Sequence, residues 1–307
     1  MDSTAPATQT GAMTAWTSAD IPDQAGRTVI VTGANSGLGL VTARELAAHG
    51  AEVILACRSV DKGEAARATM DGSTEVRRLD LADLDSVREF ADGLAERPIA
   101  ILVNNAGIMN APLARSPQGF ESQLATNLLG PFLLTSLLLP QLTDRVVTLS
   151  SMAHRWGTIA LDDLSWERRR YNGWLAYGQS KLGDLMFAYE LQRRLTGVGS
   201  RVRSMAAHPG WASTNLQVTF SGWQTVAMGW MTRVIAQSAE MGALPELYAA
   251  TVPDLPGGTY VGPDGLGEQH GHPRPVGSSG RSHDREVAAA LWSACEEMTG
   301  VPFVVTA

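Results

Sequence analysis

Tyr177 and Lys181 stand four positions apart, in a stretch from about Asn172 to Arg194 whose pattern predicts a helix. Residues at i and i+4 share a helix face, so the phenol and the ammonium can point into one pocket. That pairing suits proton transfer. A free tyrosine loses its proton near pH ~10, and a cation fixed nearby favours the phenolate and brings the group toward working pH. Tyr-x-x-x-Lys also recurs by chance on helix surfaces. Its chemistry therefore depends on whether the chain supplies a cofactor and a partner for a developing oxyanion.

The cofactor signal comes early. Arg27 to Thr32 reads as a strand and runs straight into Gly33-Ala34-Asn35-Ser36-Gly37-Leu38-Gly39, followed by a helical pattern to about His49. Glycines let the backbone approach a ligand closely, and the helix start offers free N–H groups to a pyrophosphate. The spacing is Gly-x-x-x-Gly-x-Gly, not the commoner Gly-x-Gly-x-x-Gly. A second strand, Glu52 to Cys57, ends in Arg58, about where an acid would bind the ribose 2′-hydroxyl of NAD. A guanidinium suits a 2′-phosphate instead, so NADP is expected over NAD. Asp80-Leu81 follows a strand predicted over Thr74 to Leu79; its carboxylate could accept from an adenine amino group or cap the helix that opens near Asp83. Ile99 to Val103 reads as a strand leading into Asn104-Asn105-Ala106-Gly107, small enough to let a cofactor pass.

The elements that would complete the site follow in order. A helix predicted from about Gln118 to Leu139 carries Asn127 among apolar neighbours, where a buried amide needs a partner. The strand Arg145 to Leu149 delivers Ser150-Ser151 at its carboxyl end, the edge on which open α/β sheets place ligands. Arg201 to Ala207 leads to His208-Pro209-Gly210 and then Thr214, with His208 read as structural. Trp223, Val226, Ala227, Trp230 and Val234 recur at helical spacing, which packing alone could explain or which would make about 211–240 an apolar substrate-binding lid. Gly257 to Val261 reads as a last strand and Asp284 to Met298 as a final amphipathic helix. His270 and His272 lack Cys or carboxylate partners nearby, so no metal site is expected.

Composition sets the frame. The 307 residues are 44% hydrophobic and 18% charged, and strands alternate with helices, which predicts one α/β domain over 21–307 after a disordered leader, 1–20. A net charge of −7 opposes nucleic-acid binding. Two cysteines, Cys57 and Cys295, cannot frame a disulfide scaffold, so a cytoplasmic protein is expected. The apolar run Leu128 to Leu139 falls short of the roughly 20 residues a spanning helix needs, and no membrane span is expected.

Taken in order, the glycine turn, Asn104-Asn105-Ala106-Gly107, Asn127, Ser151, Tyr177-x-x-x-Lys181 and Pro209-Gly210 resemble the short-chain dehydrogenase/reductase family from about Gly26 to Val301. Ala56-Cys57-Arg58, the long Ser151 to Tyr177 spacing with Tyr171-Asn172, and the Gly258-to-Pro263 tail resemble its retinol-dehydrogenase-like branch. The resemblance implies a Rossmann-type, doubly wound, seven-stranded parallel sheet flanked by helices. It implies an NADP(H)-dependent oxidoreductase that interconverts a carbonyl and an alcohol on a small apolar substrate. Tyr177 would be acid in reduction and base in oxidation, and Ser151, second of its pair as in family members, would hold the substrate oxygen. Lys181 would hold the nicotinamide ribose, Asn127 would position a water linked to Lys181, and Thr214 would touch the carboxamide. Family members commonly pair through helices such as Leu124 to Leu139 and Tyr177 to Leu195, so a homodimer or homotetramer is expected. Two departures stand out: Gly183-Asp184, where relatives often carry Ala-Asn, and Pro131, close behind Asn127. The rival readings are a cofactor-binding regulatory protein without turnover and a sugar-nucleotide epimerase or dehydratase.

Overall fold

Short, strongly apolar strands organise the chain in the computed structural model, which describes residues 15–210 and 238–305. β1 (Thr28–Thr32), β2 (Glu52–Cys57), β3 (Ser73–Arg78), β4 (Ile99–Asn104), β5 (Leu142–Leu149), β6 (Arg203–Ala207) and β7 (Tyr260–Pro263) are parallel. β8 (Pro273–Pro275) runs antiparallel to β7, and the order is β3-β2-β1-β4-β5-β6-β7-β8. The eighth strand corrects the expected seven-stranded, wholly parallel sheet. It is a proline-bearing edge, where a missing N–H costs no ladder bond, and nothing in a Gly/Pro-rich loop distinguishes it from coil. Strand order reverses at β1, which pairs with β2 on one side and β4 on the other. A ligand crevice belongs at the carboxyl ends of that pair.

Alternation along the strands builds two cores. Val29, Val31, Val53, Leu55 and Ile101 face α1 (Gly37–Ala48) and α6 (Ala239–Thr251). Ile30, Ile54 and Leu102 face the opposite layer, made by α3 (Leu84–Asp92), α4 (Ser122–Gln141), α5 (Gly173–Gly197) and α7 (Arg285–Thr299). α2 (Val60–Arg67) packs on β2 and β3. Burial on both faces is why β4 reads as a continuous apolar run. The lid assigned to 211–240 lies outside the described residues up to position 237.

α4 differs from expectation in two ways. Residues Ala125–Leu129 form a π-helical turn, and Pro131 behind it has no N–H to return to the Asn127 carbonyl four residues earlier. The helix also extends over 20 residues, long and apolar enough by composition to cross a membrane, yet 78% of that stretch is buried inside the fold.

α7 closes over the outer faces of α4 and α5. Its Trp292 meets Phe132 of α4 at a centroid distance of 5.0 Å, Phe187 of α5 at 5.8 Å and Phe303 at 4.5 Å. Phe132, Phe187, Leu191 and Leu195 are all buried within one chain. α7 thus covers the parts of α4 and α5 that carry Phe132 and Phe187.

Candidate active site

The crevice between β1 and β4 is tied shut at its base by Thr32. Its Oγ1 accepts from Asn105 N and Ala106 N, both at 3.0 Å, and Asn105 Nδ2 donates to the Thr32 carbonyl at 2.7 Å. These bonds hold Asn105-Ala106-Gly107 against the glycine turn. A Cβ at Gly39 would fall 2.4 Å from Asn105 Nδ2 and 2.8 Å from the Gly33 carbonyl oxygen, so glycine is required there by close approach. α1 starts at Gly37, and its cap, Ser36, makes no side-chain capping bond. The first-turn N–H groups of α1, including those of Gly37, Leu38 and Gly39, therefore face an open edge suited to an anion.

Arg58 stands exposed at the carboxyl end of β2 and makes no hydrogen bond or ion pair among the described residues. The two readings of Asp80 separate. The cap of α3 is Asp83, whose Oδ1 accepts from Asp85 N at 3.1 Å. Asp80 instead bends its own loop by accepting from Ala82 N at 3.0 Å, so its capping reading is overturned. Leu81 is buried beneath that loop against Gly130 of α4. The donor-lined helix start and the small β4 loop fit a dinucleotide.

α5 is positioned by Asn172, whose Oδ1 accepts from Trp174 N and Leu175 N at 3.0 and 3.1 Å. Tyr177 and Lys181 then fall on one buried face. Lys181 Nζ lies 6.0 Å from the Tyr177 ring centroid and donates to the Leu149 carbonyl and to Asp184 Oδ2, each at 2.8 Å. Burial opposes the lysine's charge, but the pull of Asp184 and Tyr177 holds the ammonium above its ordinary range. Burial pushes the Asp184 carboxyl up to about 6 against the attraction of Lys181. The ammonium also sits beside the crevice, since a Cβ on Gly107 would lie 3.5 Å from Nζ.

The two serines at the end of β5 separate by their bonds. Ser150 Oγ is buried and donates to the Lys181 carbonyl at 2.8 Å. Ser151 is half-buried, and its Oγ accepts from Ala153 N at 3.2 Å, which leaves its own proton available. The loop behind Ser151 packs directly on α5, because a Cβ at Gly157 would fall 2.2 Å from the Gly178 carbonyl oxygen. Asn127 finds its partners: Nδ2 donates to the Ile108 carbonyl at 3.0 Å and to Ser180 Oγ at 2.9 Å, and Oδ1 accepts from Ile108 N at 2.9 Å. The Asn127 main-chain carbonyl is deprived of its α-helical donor by Pro131, which leaves it able to accept from a water.

Several contacts at the site carry no signal in the sequence. Asp184 is three positions from Lys181, a spacing readable on any helix, although its inward turn was not. His208 was read without an acid near in sequence; in space its Nε2 is 3.2 Å from Glu268 Oε2. The close His208 imidazole, with Arg155 nearby, holds the Glu268 carboxyl below its usual range. His154 is buried, with Nδ1 2.7 Å from the Ser151 carbonyl and Nε2 accepting from Ser279 N at 3.2 Å, which fixes the main chain beside Ser151. Pro209-Gly210 continues from His208, with Gly210 N donating to His208 Nδ1 at 3.2 Å. Thr214 lies outside the described residues. No group of three or more metal-ligating side chains occurs among the described residues.

The family model for short chain dehydrogenase matches residues 27–225. Human retinol dehydrogenase 13 is 41% identical over 293 residues, covering 90% of this chain and 85% of the relative. Mouse polyprenol dehydrogenase is 39% identical over 302 residues, with 91% and 86% covered. The crystal structure of an uncharacterized protein from Mycobacterium paratuberculosis superposes with a TM-score of 0.84 at 54% identity, covering 95% of this chain and 100% of that one. The chain therefore belongs to the short-chain dehydrogenase/reductase family, in its retinol-dehydrogenase-like branch, and is an NAD(P)-dependent dehydrogenase acting on an alcohol carbon or its carbonyl.

Proposed function

We propose that the chain interconverts an apolar, isoprenoid-like alcohol and its aldehyde or ketone, with NADP(H) as the hydride carrier and Tyr177 as the proton donor and acceptor. The observation that carries this reading is the buried Lys181 ammonium, 6.0 Å from the Tyr177 ring and adjacent to Gly107 at the sheet's carboxyl edge. The nicotinamide, when bound, gives a hydride to the carbonyl carbon or takes one from the alcohol carbon.

The protein's own groups do the rest. Tyr177 gives a proton to the carbonyl oxygen in reduction and removes it from the hydroxyl in oxidation. Ser151 donates to the same oxygen and stabilises the charge that develops on it. Lys181 favours the phenolate by its charge and is placed to bind ribose hydroxyls over Gly107. The Asn127 main-chain carbonyl orders a water for proton return to Lys181. Arg58 pairs with the 2′-phosphate and selects NADP over NAD. The apolar substrate class draws on the names of the retinol and polyprenol relatives and on the tryptophans in 211–237. The occupied faces of α4 and α5 favour a chain that does not pair through those helices.

The test follows NADPH and NADH absorbance against retinal, polyprenals, short aldehydes and ketones, with Tyr177→Phe alongside. Consumption of NADPH with an apolar aldehyde, lost in Tyr177→Phe with NADPH binding retained, is expected. A wild type that binds NADPH yet consumes none across the panel overturns the reading.

A further inference from the structure

Lys181 has a companion that the four residues Asn127, Ser151, Tyr177 and Lys181 do not include. Asp184 Oδ2 lies 2.8 Å from Nζ, with side-chain exposures of 5% for the lysine and 2% for the acid. The ammonium's other bond, to the Leu149 carbonyl, commits a second N–H. Asp184 Oδ1 is buried with no hydrogen bond among the described residues, so no other donor spreads the carboxylate's charge. In a site shielded from water, a carboxylate at this distance offsets much of the field that a bare ammonium would project.

We propose that Asp184 is a positioning residue of the proton-transfer site, which anchors the Lys181 ammonium against the Leu149 carbonyl and sets how much of its charge reaches the Tyr177 phenol. The inference rests on Tyr177 as the proton donor and acceptor. An asparagine in that place would keep the shape and remove the charge.

The neighbours do not duplicate this role. Facing the pair among the described residues are Tyr177 from α5 itself, Glu246 from α6 and Cys295 from α7. β5 contributes the Leu149 carbonyl and the Ser150 hydroxyl, and α4 the neutral Asn127 amide. Burial pushes Glu246 up to about 8 and Cys295 well above its usual range, so both are mainly neutral at pH 7. Asp184, which titrates lower than either, is the acid that answers Lys181 there. An answered ammonium projects less positive charge onto the phenol.

The test measures tyrosinate absorbance against pH in the full chain, each background paired with its own Tyr177→Phe so that the difference reports one phenol without any substrate. In Asp184→Asn the midpoint is expected to fall by about one pH unit. The acid limb of alcohol oxidation should move with it. Asp184→Ser, smaller and equally neutral, gives the same readout in a second background. A midpoint that stays or rises on loss of the carboxylate overturns the proposal. Because the titration needs no turnover, an inactive wild type would count against the proposed function while the charge relation was still decided.

Discussion

The Ser150 hydroxyl donates to the main-chain carbonyl of Lys181 at 2.8 Å, joining the end of β5 to α5 inside the core. Its neighbour Ser151 keeps its proton for another acceptor. Ser150→Ala should therefore act on stability, removing this added tie between β5 and α5 at a cost of about 0.5–1.5 kcal/mol, seen as a lowered melting temperature. Ser151→Ala should cost only the bond from Ala153 N and reduce kcat by about 100-fold or more. The reverse pattern would exchange the two assignments.

Among the described residues Arg58 has no partner, so its replacement should disturb cofactor choice and little else. Arg58→Asp places a carboxylate beside the ribose. Affinity for NADPH should fall by about 10- to 100-fold, the equivalent of one or two charge-assisted hydrogen bonds, while affinity for NADH holds or improves. Fluorescence titration with both nucleotides checks it.

Gly39 packs against Asn105 and the Gly33 carbonyl, with no room for a methyl group. Gly39→Ala should push the Asn105 amide from Thr32, costing about 1–3 kcal/mol and weakening both cofactors alike. Calorimetric melting and nucleotide titration separate this uniform loss from the selective one at Arg58.

Glu246 is fully buried on α6, and burial raises its carboxyl to about 8 against the Thr42 hydroxyl and the Lys181 charge. A raised carboxyl binds its proton more tightly in the folded state than in the unfolded chain. Its contribution is therefore fully present below the ordinary carboxylate range and is lost as pH climbs toward about 8. Glu246→Gln should flatten the fall in melting temperature over that window and raise it by at least about 2 °C at pH 8.5. Parallel melting curves for the two proteins would refute the assignment.

Trp292 fills the junction of Phe132, Phe187 and Phe303. Trp292→Ala should cost about 3–5 kcal/mol. With α7 in place, light scattering should return the mass of a single chain; a dimer whose cross-links join α4 and α5 of two copies would contradict the covered face.

What could be read from the chain was what short segments decide. The glycine turn and the limits of β2 follow from backbone freedom and strand patterning within a few residues. The start of α5 at Asn172 follows from its cap, and the shared face of Tyr177 and Lys181 from the helix repeat. The antiparallel β8 was invisible because three residues, two of them proline, carry no strand pattern. α6 lay beyond the helical stretch the sequence suggested.

The sequence by itself determined the fold class, the family's ordered motifs and the residues able to move a proton, because these depend on residue type and local spacing. Tertiary structure alone decided which of them meet: Ser150 on the Lys181 carbonyl, Glu268 on His208, α7 over Phe132 and Phe187, and the Asp184 carboxylate turned inward onto Lys181. These contacts depend on side-chain direction and on burial created by elements distant in sequence. Burial also governs charge at the site, since desolvation and the nearest opposite charge fix which acids are ionised.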